Sequence, residues 1–240
     1  ADELAHRLER ATAGTAELKS MHSVFPSITE FGMAALLPHH SMGLREADMA
    51  VFLDGDVPVA STEEREVALR RRKPKGRCIQ SKALLAEKRS ARKQLVGDAD
   101  VVYVYHNKID AVGEGFNTEH MVFDACETAI EDLVALVKSS INDLTISRVL
   151  ITADHGFLYT RNPLEERSKV SVADASTRVV KQGRRYLVGE EPSIDDGLFV
   201  KMNMDDIDGG TYTGLAPREC VRIKKAGPGD NYVHGGLSLQ

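Results

Sequence analysis

The chain is poor in cysteine. Its three cysteines, Cys78, Cys126 and Cys220, stand far apart with no paired spacing, and their number is odd. That argues against a disulfide framework and against a cysteine-based metal site, and it suits a reducing cytosol. No apolar run approaches the roughly 18 residues of a membrane-spanning helix, and the start lacks a signal-peptide pattern, so a cytoplasmic protein without a membrane segment is expected. Excess positive charge is missing as well: 31 Lys and Arg stand against 36 Asp and Glu, a formal net charge of -5. A protein that grips nucleic acid over its whole surface is thereby disfavoured. The one dense cationic run, six cations within Arg70–Arg77, contains no aromatic residue. It therefore lacks the stacking element of a single-strand binding groove.

What is present is enough for a core. With 240 residues, 42% of them hydrophobic, the chain can bury one substantial α/β core. Residues 1–13 read as an amphipathic helix, with Leu4, Leu8 and Ala11 on one face. A strand leads into Thr29, followed by a helix to Leu37 that Pro38 stops. Val51–Leu53 reads as a strand before an Asp-Gly-Asp turn, and Val101–Tyr105 as another. From Glu119 to about Val137 the pattern is that of the strongest amphipathic helix, and the apolar run Val149–Ala153 after it reads as a buried strand. A strand, helix and strand in that order predict a right-handed parallel crossover. Beyond it, 170–180, 186–188 and 198–202 alternate or run apolar between glycine-rich turns, which predicts a β-rich, antiparallel lobe, inserted or C-terminal. Residues 62–97 are highly charged and read as an insertion. Its cations fit a mobile, solvated stretch or a track for a polyanionic backbone.

Several residues that can carry chemistry stand at the ends of these apolar runs. Asp154-His155-Gly156 follows Val149–Ala153, placing a carboxylate and an imidazole where open parallel sheets bind ligands. The same tripeptide also suits a plain turn, with glycine supplying a positive φ. Asp110 and Glu114 follow Val101–Tyr105, with His106 and Asn107 between them and the strand. Thr29 opens a helix, where on its own it suits an N-cap. His234 lies close to the C-terminus, in Tyr232-Val233-His234-Gly235-Gly236.

Taken in order, Thr29 in Phe25-Pro26-Ser27-Ile28-Thr29, Asp110 in Asp110-Ala111-Val112-Gly113-Glu114, Asp154-His155-Gly156 and the late His234 resemble the alkaline phosphatase superfamily of two-metal phosphoryl-transfer enzymes. The stretches 29–39, 105–110 and 234–240 resemble, within it, the PglZ domain of BREX-type phage-defence systems. The resemblance covers nearly the whole chain. It implies that Thr29 bridges to a metal and attacks phosphorus, that Asp154 and His155 hold the metal on the Thr29 side, and that Asp110, Glu114 and His234 hold the other. Many relatives in the superfamily carry His where this chain has Glu114, and His120 is a rival for that place. His106 and Asn107 would orient a ligand or the substrate. The superfamily also places an Asp at the end of a first strand, and residues 1–8 resemble the helix after it, so an N-terminally truncated domain is expected.

The chemistry explains the residue types. Two divalent ions about 3.5–4 Å apart clamp the attacking and leaving oxygens of a phosphate ester, and carboxylate and imidazole ligands suit zinc first, with Mn2+ or Mg2+ as alternatives. The expected fold is α/β, a mainly parallel sheet flanked by helices with the β-rich lobe over the site. The expected function is metal-dependent phosphoester hydrolysis, diesters ahead of monoesters, in a phage-defence system. Expected partners are a phosphate ester substrate, nucleic acid included, and other defence-system proteins. The alternative is a structural or regulatory subunit of a defence complex whose metal site is not used in catalysis. Sulfuryl transfer is disfavoured because Thr29-Glu30-Phe31-Gly32-Met33 does not match the Cys/Ser-x-Pro/Ala-x-Arg context of sulfatases.

Overall fold

The structure is a computed structural model; it describes residues 1–45, 48–162, 164–172, 178–190, 192, 197–227 and 231–237. The helices are α1 (Asp2–Ala11), α2 (Thr29–Ala35), α3 (Thr62–Arg72), α4 (Ser81–Ala86), α5 (Arg89–Val96), α6 (Lys108–Gly113) and α7 (Val122–Leu144). The strands are β1 (Met42–Arg45), β2 (Ala50–Leu53), β3 (Val57–Pro58), β4 (Gly76–Gln80), β5 (Val101–Tyr105), β6 (Leu158–Tyr159), β7 (Lys169–Val170), β8 (Val179–Gln182), β9 (Leu187–Gly189), β10 (Phe199–Asn203), β11 (Thr213–Pro217), β12 (Arg222–Ile223) and β13 (Tyr232–Val233). This is a mixed α/β arrangement with parallel strands and helices.

Local chemistry accounts for the main elements. Ser61 begins α3 with a capping box: its hydroxyl accepts from the Glu64 N–H at 3.1 Å while Glu64 Oε2 accepts from the Ser61 N–H at 2.9 Å. The long α7 buries Val122, Ala125, Ala129 and Leu136 at helical spacing and ends on Thr145 in the left-handed region, φ 61°. Strands β4 and β5 pair in parallel from Gly76↔Val101 to Gln80↔Tyr105. An antiparallel sheet, ordered β10-β11-β9-β8, follows later in the chain. The principal core gathers Phe25, Ile28, Phe31, Leu53, Val57, Leu69, Val188 and Ile207, so α2, the β1-β2-β3 sheet, α3 and the antiparallel sheet share one interior.

Three expectations change. Residues 149–153 form no strand: Leu150 is 88% exposed, Val149 and Ile151 are exposed too, and the segment runs without a ladder partner among the described residues. A buried strand needs neighbours on both edges, and composition alone does not supply them. Parallel ladders among the described residues are β4–β5 and β12–β7, with an isolated parallel bridge at Met42↔Ile207, while the other paired strands are antiparallel. The segment expected as an insertion, residues 62–97, carries α3, β4, α4 and α5, and it buries Leu69, Cys78, Ile79 and Leu84. Its cations Arg70, Arg71 and Arg72 lie on a solvated face, where Arg70 meets Glu66 at 2.8 Å, Arg71 meets Asp56 at 3.1 Å and Arg72 meets Asp54 at 2.6 Å, whereas Arg65 is buried. Of the expected apolar run 170–180, residues 173–177 lie outside the described residues; β7 and β8 flank them. No helix among the described residues is long and apolar enough to cross a membrane.

Candidate functional site

Four separate stretches of chain meet at one place, and two backbone pairings bring them there. Ser27 is buried; its N–H donates to Gly235 O at 3.3 Å and its hydroxyl to Gly236 O at 3.0 Å, tying the approach to Thr29 onto the loop of His234. Strands β6 and β13 pair antiparallel, Leu158↔Val233 and Tyr159↔Tyr232, which draws the chain just after His155 alongside the chain just before His234. Gly32, on α2, completes the approach. A Cβ there would lie 2.1 Å from Asp154 O, so the helix can sit against Asp154 only with glycine at this position.

Thr29 is the first residue of α2, whose N-cap is Ile28, so the N-cap reading of its hydroxyl does not hold. Instead Thr29 Oγ1 lies 3.1 Å from His155 Nε2. The other ring nitrogen of His155, Nδ1, faces Gly156 O at 3.0 Å. In the neutral ring, a proton on Nδ1 donated to that carbonyl leaves Nε2 as the acceptor of the Thr29 hydroxyl. The same Nε2 lies 3.4 Å from Asp110 Oδ2 and 3.6 Å from Asp154 Oδ2. One hydroxyl and two carboxylate oxygens thus crowd around one imidazole nitrogen. Asp154 Oδ2 is buried with no hydrogen-bond partner among the described residues. Burial pushes this carboxyl above the ordinary carboxylate range, and the nearby Asp110 adds to the shift while His155 opposes it.

The second half of the cluster centres on His234. Its Nε2 lies 3.1 Å from Glu114 Oε1, and its ring stacks on that of His155 with centroids 4.2 Å apart and planes 18° from parallel. Burial, then the neighbouring His155, pushes the His234 imidazole below its usual value, with Glu114 pulling the other way. Its Nδ1 is buried without a hydrogen-bond partner among the described residues. Asp110 sits in the first turn of α6, and Glu114 is that helix's C-cap. Asp110 Oδ1 accepts a hydrogen bond from the Tyr232 hydroxyl, which leaves Oδ2 turned toward His155.

All six residues expected to hold metal or attack, Thr29, Asp110, Glu114, Asp154, His155 and His234, are therefore linked by direct contacts. Among the described residues no three His, Cys, Asp or Glu side chains converge as a ready metal-binding group. The donor set nevertheless fits a divalent cation in kind. Its atoms are the oxygen and nitrogen acceptors that hard and borderline cations take, and the orphaned Asp154 Oδ2 is a buried acceptor in want of a positive partner. His106 is placed elsewhere, its Nε2 3.1 Å from Asp132 on α7. Asn107 is exposed and caps α6 without a side-chain hydrogen bond, and His120 is exposed in the turn before α7.

Reading the sequence gave no role to Tyr232, Glu119, Lys181, Arg184 or Lys225. Tyr232 was legible in principle, since it stands two residues before His234 on an extended segment and so shares its face. Glu119 is buried, and its carboxylate accepts from the Tyr232 N–H at 3.3 Å. The three cations lie far apart from the motifs in sequence and offered no comparable signal. They line, together with Thr29, Glu114 and His234, a cavity of about 380 Å³. Another cavity, of about 460 Å³, lies between α1 and α7 around Arg7, Glu131 and Lys138, and none of the cluster lines it.

The family model described as "BREX system PglZ alkaline phosphatase-like domain" matches residues 1–240. The alkaline phosphatase-like protein BrxZ of Escherichia coli O9:H4 (strain HS) is 34% identical over 242 residues. The alkaline phosphatase-like protein PglZ of Bacillus cereus (strain H3081.97) is 36% identical over 243 residues. Each match covers 100% of this chain and 28% of the relative, so the chain spans little more than a quarter of the curated proteins it matches. A family match over its whole length shows that this chain belongs to the PglZ family of BREX-system alkaline phosphatase-like domains.

Proposed function

We propose that this chain is a metal-dependent phosphoester hydrolase, acting on diesters ahead of monoesters within a phage-defence protein. The observation that carries the reading is the Thr29 hydroxyl 3.1 Å from His155 Nε2, with Asp110 and Asp154 carboxylates 3.4 and 3.6 Å from the same nitrogen. Thr29, Asp154 and His155 would hold one divalent ion, and Asp110, Glu114 and His234 the other, zinc first among candidates. Such a pair of ions supplies charge neutralisation at phosphorus and a lowered pKa for the attacking hydroxyl. Within that frame Thr29 Oγ1 forms the new bond to phosphorus as the leaving alcohol departs, and water then releases the threonyl ester. The Tyr232 hydroxyl holds Asp110 in place through Oδ1. The antiparallel sheet β8–β11 serves as the β-rich lobe, its β8–β9 turn forming one wall of the cavity. Other defence-system proteins are the partners this family membership suggests, and the cytosol is the compartment that suits the free thiols.

A second reading has its own support. The six side chains already contact one another, and a buried polar cluster of that kind can hold a shape without turnover. Hydrolysis of bis(p-nitrophenyl) phosphate by the full-length protein separates the two. Turnover that EDTA abolishes and zinc or manganese restores, and that Thr29→Ala lowers by at least about 100-fold, supports the enzyme. A folded, metal-loaded protein without turnover supports the scaffold.

A further inference from the structure

Lys181 on β8, Arg184 in the turn after it and Lys225 in the turn after β12 line the same cavity as Thr29, Glu114 and His234. The two turns brace each other. Ile223 N–H donates to Arg184 O at 2.8 Å, an Arg184 guanidinium nitrogen donates to Gly227 O at 2.6 Å, and Lys225 Nζ donates to Gln182 O at 3.2 Å. Within the first turn, Gly183 N–H donates to Tyr186 O at 2.9 Å, and a Cβ on Gly183 would lie 2.3 Å from the Tyr186 ring, so the turn is closely packed. Lys181 is held against Glu30, next to Thr29, and over the Phe31 ring at 5.7 Å. The cationic wall is therefore built before any ligand arrives.

Its position has an electrostatic consequence. The same cavity is lined by the carboxylates of Glu30, paired with Lys181, and Glu114, the latter in the cluster that holds Asp110 and Asp154, and this negative charge repels an anionic substrate that extends beyond the scissile group. The cations lining the cavity offset that repulsion only for a ligand whose second negative charge reaches them. A chain with net charge -5 has no general surplus of cations to place there.

Taking Thr29 as the attacking group, we infer that Lys181, Arg184 and Lys225 form a second anion subsite, which binds a phosphate neighbouring the scissile one and so favours substrates with at least two phosphates over single-phosphate esters. The neighbouring phosphate can belong to a free nucleotide or to a strand; a guanidinium and ammonium groups recognise it in either case.

The test is equilibrium binding to the full-length protein by calorimetry, with thymidine 5′-monophosphate, thymidine 3′,5′-bisphosphate and tetrathymidylate as probes. The parent binds the bisphosphate at least about 10-fold tighter than the monophosphate, a difference that salt reduces. Arg184→Gln/Lys225→Gln removes that preference and leaves monophosphate affinity within about 3-fold, whereas Arg184→Lys/Lys225→Arg keeps it. Thermal melts of both double variants report whether they fold. Tetrathymidylate tighter than the bisphosphate assigns the second phosphate to a strand, and the reverse order assigns it to a free nucleotide. Equal binding of mono- and bisphosphate by the parent, or loss of both together in the folded Gln variant, overturns the subsite. Turnover of bis(p-nitrophenyl) phosphate is read separately, so failure of hydrolysis counts against Thr29 as the nucleophile without deciding the binding comparison.

Discussion

Asp154, whose backbone packs against α2 where only Gly32 allows so close an approach, places an unpaired acceptor oxygen in the interior, 3.6 Å from His155 Nε2. A buried charge without a partner costs free energy, and the carboxyl's raised pKa expresses the same cost. Without metal, Asp154→Asn should therefore stabilise the full-length protein at neutral pH, by about 1–3 kcal/mol. With zinc the order should reverse, because the parent gains a bound ion and the variant does not. Thermal melts of both proteins, with chelator and with zinc, check this. A destabilised variant in chelator would mean that the carboxylate is already well served. Asp154, His155, Asp110 and Thr29 were legible because polar residues at the ends of apolar runs are conspicuous. The Tyr232–Asp110 contact was not, since a tyrosine in an apolar segment looks like core until its hydroxyl is placed.

Elements show where reading by composition fails. The segment 62–97 looks solvated because its charges outnumber its apolar residues, yet Leu69, Cys78, Ile79 and Leu84 suffice to bury one face each of α3, β4 and α4. Conversely, Val149–Ala153 looks buried on composition and is exposed, because strand character depends on partners that the sequence of one segment does not specify. Ion pairs connect α3 to the β1–β2 sheet. Asp54, just after β2, accepts from His40 N–H at 2.8 Å, from Ser41 N–H at 3.3 Å and from Arg72 Nη2 at 2.6 Å. The His40 N–H first, then Arg72, pulls its carboxyl from 3.8 down to about 2. A depressed carboxylate stabilises the fold fully above its unfolded pKa, and that contribution is lost as pH falls through the folded value. Asp54→Asn should thus be less stable than the parent at pH 6, by on the order of 1 kcal/mol, with the gap closing between about pH 4 and pH 2. Denaturant unfolding across that range measures it, and a gap independent of pH would contradict the assignment.

At the scale of the molecule, the site depends on the chain's return. Residues 27–29, 154–155 and 232–236 come together through one backbone bridge at Ser27↔Gly235 and the short β6–β13 pairing, and residues 110–114 join them through the Tyr232–Asp110 and His234–Glu114 contacts. The order of the motifs was readable from sequence and pointed to the family that the whole-length match shows. The sheet topology was not, because pairing is a property of distant segments together, and here most pairs are antiparallel where a mainly parallel sheet was expected. The central claim is that Thr29 Oγ1 attacks phosphorus. Rapid acid quench of the metal-loaded full-length protein during turnover of bis(p-nitrophenyl) phosphate, followed by peptide mass spectrometry, tests it most directly. A p-nitrophenylphosphoryl adduct on the peptide bearing Thr29, absent from Thr29→Ala, is expected. Turnover at the parent's rate by Thr29→Ala, with no adduct on the parent, would contradict it and point to attack by water.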